Sequence, residues 1–251
     1  QGQNITFSHF TTDDGLSQFS VISMYIDERG IIWIGTREGL NRYNGNDIKS
    51  FKLKKNDPNS LFSNTVLRIT GNKKGKVYLL CTDGIAEFDL TTQRFKTLLQ
   101  GNVDAIYYNE KLYIGKREEV FVYNESTGNF DLYYHLAGKD ITLSCLHLDD
   151  KKNLWMGTTG NGVYCLSENK TVSQPITKGN ITSIYEDSSK ELWIGSWEEG
   201  LYHITTDGNI KNLRHDPQNP NSLCSDFVRS CCEDNAGNLW IGTFYGLNRY
   251  D

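Results

Sequence analysis

The chain has 251 residues and a formal charge of −5, with hydrophobic residues at 37%, aromatic residues at 12% and 23 glycines. No stretch approaches the roughly 18 to 20 uninterrupted apolar residues of a membrane-spanning helix. The two charge signs are scattered and do not form the basic patch of a nucleic-acid binder. This balance suits many short strands joined by polar turns, with rings filling the interior.

The chain opens Gln1-Gly2-Gln3 without a charged or apolar leader, as expected of a processed, exported chain or a trimmed one. Ile5-Thr6-Phe7-Ser8-His9-Phe10 reads as a strand, and Thr11-Thr12-Asp13-Asp14-Gly15-Leu16 reads as a linker. Val21–Ile26 is a β-rich run that ends at the turn Asp27-Glu28-Arg29-Gly30. Ile31–Thr36, Leu40–Tyr43 and the alternating Ile48–Leu53 follow as second, third and fourth strands. A linker, Asp57-Pro58-Asn59-Ser60-Leu61, leads to the next copy of the same pattern.

Trp33-Ile34-Gly35-Thr36 returns as Trp155-Met156-Gly157-Thr158, Trp193-Ile194-Gly195-Ser196 and Trp240-Ile241-Gly242-Thr243. Degenerate copies stand at Tyr78-Leu79-Leu80-Cys81 and Tyr113-Ile114-Gly115-Lys116. The anchor aromatics are 45, 35, 42, 38 and 47 residues apart. A period near forty in a strand-rich chain marks a β-propeller. The expected fold is therefore all-β: one propeller domain over residues 1–251, built of four-stranded antiparallel blades that start near residues 21, 66, 103, 143, 181 and 228. The last copy stops without a fourth strand. Residues 5–10 are expected to supply it as the outer strand of the last blade, which closes the ring and removes two sheet edges. That gives six blades in this chain, or a share of a seven-bladed ring if the chain is cut from a longer parent.

Asp27, Asp149, Asp187 and Asp234 each lie six residues before a Trp. A carboxylate recurring in one hairpin of successive blades reads as a turn former, not a catalytic or calcium-binding group. The repeated Trp reads as packing between blades. The cysteines, Cys81, Cys145, Cys165, Cys224, Cys231 and Cys232, contain no Cys-x-x-Cys pair and read as free, buried fillers, with a disulfide left open. His9, His135, His147, His203 and His215 fall at unrelated repeat positions without metal-ligand spacing. No catalytic residue, metal site or cofactor is expected.

The turns from second to third strand differ from blade to blade, and such turns on a rigid scaffold are where specificity resides. They place Arg37, Glu38, Asp83, Arg117, Trp197, Glu198, Phe244 and Tyr245 as candidate ligand contacts. Rings that stack on sugar faces, beside charged groups that bind hydroxyls or uronates, would form a carbohydrate platform. The competing readings are contact with a partner domain or subunit, and local packing.

The consensus of the copies, Ile-x-Glu-Asp-x-x-Gly-x-Leu-Trp-Ile-Gly-Thr-x-x-Gly-Leu-x-Arg-Tyr-Asp followed by Asp-Pro-x-x-Ser-Leu, resembles the two-component regulator propeller repeat. Residues Glu233–Asp251 follow it almost position by position. The copies at Tyr78 and Tyr113 depart from it by losing the Trp, and the third also loses the turn glycine near Glu118-Glu119. The resemblance implies the periplasmic sensor region of a hybrid two-component protein of gut bacteria. In that family it implies a second propeller, one membrane helix and a cytoplasmic histidine kinase outside this segment, a homodimeric parent, and glycan-derived oligosaccharides as the ligand. This segment would insert in no membrane and bind no nucleic acid. The alternatives are a dimerisation scaffold that leaves the ligand to another domain, and a propeller glycosidase or lyase.

Overall fold

The computed structural model describes residues 9–137 and 141–250. Among them the chain is all-β, without a helix, and its strands form six antiparallel sheets. The first blade is β1 (Val21–Ile26), β2 (Ile32–Thr36), β3 (Gly39–Tyr43) and β4 (Ile48–Phe51). The second is β5 (Val66–Gly71), β6 (Lys76–Cys81), β7 (Gly84–Asp89) and β8 (Arg94–Gln100). The third is β9 (Ala105–Asn109), β10 (Lys111–Lys116), β11 (Glu119–Asn124) and β12 (Asn129–His135). The fourth is β13 (Leu143–Leu148), β14 (Leu154–Thr158) and β15 (Val163–Leu166). The fifth is β16 (Asn180–Glu186), β17 (Leu192–Trp197), β18 (Leu201–Ile204) and β19 (Ile210–Leu213). The sixth is β20 (Val228–Glu233), β21 (Leu239–Thr243) and β22 (Gly246–Tyr250). In each, strands adjacent in sequence are adjacent in the sheet, the meander of a propeller blade. The fold is a β-propeller of six blades. The chain divides into two compact units, one ending at Lys111 and the other beginning at Leu112.

Two blades depart from the four-stranded expectation. Beside β15, Ser173 N–H donates to Cys165 O and Ile176 N–H to Val163 O, both at 2.8 Å. Pro175 between them has no N–H to give, so the segment runs alongside without becoming a strand. The sixth blade has three strands among the described residues. Its expected outer strand, residues 5–10, lies largely outside the described residues. Of that run only His9 and Phe10 are described, neither in a strand, and the Phe10 ring sits 4.8 Å from that of Tyr43.

The first hairpin repeats to the residue. Val21, Val66, Leu143, Ile181 and Val228 pair with Thr36, Cys81, Thr158, Ser196 and Thr243. A bulge follows each of these five, which increases the local twist. The turn closing the hairpin has a left-handed residue at one fixed place. Gly30 and Gly237 take it at φ 77° and 84°, but Lys152 and Lys190 take it at 64° and 67°. Glycine is therefore preferred there and not obligatory, since a side chain in this region costs only about 1 kcal/mol.

Core packing lies between consecutive blades. Trp33 and Leu40 of the first blade pack with Val66 and Ile69 of the second. Trp155 and Val163 of the fourth pack with Ile181 and Ile184 of the fifth. Trp193 and Leu201 of the fifth pack with Val228 and Cys231 of the sixth. Each large side chain so buried contributes about 1.5–3 kcal/mol. Gly35, Gly157 and Gly195 are required by this closeness: an added Cβ would lie 2.9, 2.8 and 2.8 Å from side-chain carbons of Val66, Ile181 and Val228.

Candidate functional site

Each Asp that precedes a Trp is a structural residue. Asp27 Oδ1 accepts the N–H groups of Arg29 and Ile31, which closes the turn, while Oδ2 accepts the indole N–H of Trp33 at 3.0 Å. Asp149, Asp187 and Asp234 do the same for Trp155, Trp193 and Trp240 at 2.8, 2.7 and 2.8 Å. Burial alone would raise the Asp27 pKa. Hydrogen bonds from Arg29, Trp33 and two backbone N–H groups outweigh it and hold the carboxyl below the usual carboxylate range.

The variable turns carry the remaining chemistry. In the unit ending at Lys111, Arg37 and Glu38 are exposed between β2 and β3. Glu38 N–H donates to Thr36 Oγ1, and the Arg37 carbonyl accepts from Thr65 Oγ1. Asp83, exposed between β6 and β7, already accepts from Ser63 Oγ at 2.8 Å and Thr82 Oγ1 at 3.1 Å. These contacts hold the turns in shape.

In the unit that begins at Leu112, Arg117 is exposed at the β10–β11 turn, with φ 50° and its carbonyl accepting Leu143 N–H. The fifth and sixth blades bring Trp197, Phe244 and Tyr245 together. Trp197 is half-buried, with the Phe227 ring 5.1 Å away and the Phe244 ring 6.0 Å away, both edge-on. Tyr245 stands 5.2 Å beyond Phe244, also edge-on, and is 73% exposed. The Arg229 guanidinium lies 4.5 Å over the Trp197 ring, a cation–π contact.

A charged network borders the rings. Arg214 donates to Glu199 Oε2 (2.9 Å), Asp226 Oδ2 (2.9 Å) and the Glu198 carbonyl (2.8 Å). Asp226 is the main cause of an Arg214 pKa above its ordinary value. Glu198 itself is held at φ 97°, a backbone conformation that costs a side-chain residue on the order of 1–3 kcal/mol and clusters at functional sites. The site is thus a set of crossed aromatic walls beside an ordered rim of Arg214, Glu198, Glu199 and Asp226.

Phe227, Arg229, Arg214 and Asp226 were not among the sequence candidates. Phe227 had a signal: it stands before the first-strand valine, where the other copies have Ser20, Thr65, Thr142 and Asn180. Among the described residues no group of three or more His, Cys, Asp or Glu is placed to hold a metal ion. His203 is structural, with Nε2 at 2.7 Å from Glu191 Oε2 and its ring stacked on Trp193 at 3.8 Å.

Residues 15–38, 175–198 and 222–245 match the family described as two component regulator propeller. Three stretches of the chain thus match the two component regulator propeller repeat. These repeats include the Asp–Trp hairpins of the first, fifth and sixth blades. A 58-residue stretch, 23% of the chain, is 47% identical to histidine kinase P4 of Formosa agariphila and spans 4% of that protein. The fold is similar to the extracellular domain assigned to the hybrid two component system BT3049 of B. thetaiotaomicron, at TM-score 0.79 and 24% identity. That match covers 99% of this chain and 35% of the other, so the chain spans about a third of its structural relative. Virginiamycin B lyase of Staphylococcus aureus has the same fold at TM-score 0.70 and 15% identity, covering 92% of this chain and 83% of the lyase. Sensors and enzymes share this architecture, so the fold alone does not choose between them.

Proposed function

We propose that the chain is a non-catalytic, exported recognition module of a two-component signalling protein, periplasmic in location, which binds glycan-derived oligosaccharides and thereby regulates polysaccharide utilisation. The observation that carries this reading is the Trp197–Phe227–Phe244–Tyr245 cluster. Tyr245 presents an open ring to solvent in a turn where packing does not require one. Ring faces bind the apolar face of a pyranose, while Glu198, Glu199 and Asp226 at the rim offer acceptors to its hydroxyls. The matched regulator propeller repeats and the extracellular relative favour a sensor over the lyase, and His203 is held by Glu191 and Trp193. Histidine kinase activity, a second propeller and a homodimeric parent would belong to the longer polypeptide. Ligand binding would then bias an equilibrium between two arrangements of that parent.

The second reading is a scaffold whose faces hold neighbouring domains while the ligand binds elsewhere. An exposed apolar row on β1, Val21, Ile22, Met24 and Ile26, favours it. Titration calorimetry with neutral and acidic oligosaccharides separates the two. Binding that Tyr245→Ala abolishes without lowering the melting temperature supports recognition. Silence across the panel with the intact extracellular region supports the scaffold.

A further inference from the structure

The turns between third and fourth strands hold one side chain in a repeated cradle. In the first blade, Asn44 Oδ1 accepts the N–H groups of Asn46 at 3.0 Å and Asp47 at 2.8 Å. In the second, Asp89 Oδ1 accepts those of Thr91 at 2.9 Å and Thr92 at 2.7 Å. In the third, Asn124 Oδ1 accepts those of Ser126 at 3.1 Å and Thr127 at 3.4 Å. The cradle favours negative charge on the oxygen it holds. The Thr92 N–H is the main reason that the Asp89 carboxyl titrates below its ordinary range.

Asn44 differs from the other two in the residue that follows it. Gly45 is exposed, stands in the left-handed region at φ 93°, and has open space where a Cβ would lie. Among the described residues no acceptor takes the Gly45 N–H. The bond from Asn46 N–H to Asn44 Oδ1 closes a ring of atoms that includes the Gly45 nitrogen. The side-chain carbonyl carbon is thereby kept beside a free backbone nitrogen, the proximity that intramolecular attack requires.

We propose that Asn44 is a self-modification site, at which the Gly45 nitrogen attacks Asn44 Cγ and the side-chain amide is lost as ammonia. The Gly45 nitrogen gives its proton to water and bonds to Cγ. The carbonyl electron pair moves to Oδ1, where the N–H groups of Asn46 and Asp47 stabilise it as an oxyanion. When the carbonyl re-forms, the Cγ–Nδ2 bond breaks and the nitrogen leaves as ammonia, taking a proton from water. One water molecule then opens the cyclic imide to Asp or isoaspartate at position 44, with no change of oxidation state.

Either product adds one negative charge to the formal −5. Asp is the residue that the second and sixth copies carry at the corresponding place, Asp89 and Asp251. The amide nitrogen that donates to Asp47 Oδ1 at 2.6 Å would be replaced by an oxygen that repels it. Isoaspartate also lengthens the main chain beside the Tyr43–Ile48 pair, where β3 and β4 meet. The site is independent of the recognition reading, and its test does not involve sugar.

The chain carries its own controls. Asn161-Gly162 is the second Asn-Gly pair in the sequence, but its Gly162 N–H is committed to Gly179 O at 3.0 Å. Asn124 has the cradle without the glycine, and the Glu125 side chain crowds the attacking nitrogen. The 251-residue chain is aged at pH 8 in heavy-oxygen water, folded and in urea, and its peptides are read by mass spectrometry. In the folded protein, heavy oxygen should enter at position 44 about tenfold or more faster than at 161, with Asn124 unreacted. Unfolding should slow the reaction at 44 and speed it at 161. Equal rates at 44 and 161 in the folded protein overturn the proposal. A rate at 44 that rises in urea also overturns it, since the cradle would then protect the amide.

Discussion

The indole N–H of Trp240 donates to Asp234 Oδ2 at 2.8 Å, joining the start of the core strand to the turn before it. The same bond occurs in the first, fourth and fifth blades. It explains why Asp and Trp stay six residues apart in these copies while the turn between them varies. Asp27→Ala should lower stability by about 1–3 kcal/mol, since it leaves a buried indole N–H without an acceptor. Equilibrium urea unfolding measures this. Trp33→Phe should cost less than Asp27→Ala plus the loss of ring volume, because it removes donor and demand together.

These carboxylates also set an acid limit. The Asp27 pKa in the fold lies below its ordinary 3.8, and that of Asp234 is lowered chiefly by the Trp240 bond. The unfolded chain therefore takes up protons first as pH falls. Their contribution is complete above about pH 4 and is lost progressively below it. Melting temperatures from pH 6 to 3 should drop most steeply at the acid end, and less so in Asp27→Asn.

His147 acts in a different window. Burial pushes its pKa down to about 4 from 6.5, against a smaller opposing effect of Asp149. Glu186 Oε2, at 3.9 Å, is at the edge of ion-pair distance and does not reverse the shift. The unfolded state protonates first here too, so stability falls as pH drops from about 6.5 toward 4, by on the order of 3 kcal/mol in total. His147→Phe should remove this slope, and a slope unchanged in that variant would assign it to other groups.

The fold class was legible because its signals are local. A Trp-x-Gly strand, an Asp six residues earlier and a left-handed turn residue all lie within one hairpin. The site was half legible. Trp197, Phe244 and Tyr245 stand out as rings in turns that elsewhere carry small or charged residues. Phe227, Arg229, Arg214 and Asp226 reach the cluster from the next blade's first strand and from the linker, through contacts no hairpin pattern encodes. The cysteines were misread in part. Cys81 and Cys145 are buried as expected, but Cys224, in the linker before the sixth blade, and Cys232, on its first strand, are exposed.

Thiol labelling should reflect that difference. Burial pushes the Cys81 and Cys231 thiols up to about 12. At pH 8 in the native protein these two should stay unmodified by iodoacetamide while Cys224 reacts, and all six cysteines should react in urea.

Glycine substitutions check the blade junctions. Gly195→Ala would place a Cβ 2.6 Å from Ser183 Oγ and 2.8 Å from Val228 Cγ1, and should cost about 1–3 kcal/mol. Gly242→Ala meets Ser230 Oγ at 3.1 Å and should cost well under that in the 251-residue chain.

The recognition role is tested most directly by calorimetric titration of an oligosaccharide panel into the purified protein and its Tyr245→Ala variant, with the sugars analysed afterwards. The expected result is saturable binding of an oligosaccharide by the parent protein, loss of that binding in Tyr245→Ala at unchanged melting temperature, and recovery of the sugar intact. Cleaved sugar, or binding that Tyr245→Ala and Trp197→Ala both leave unchanged, would contradict it.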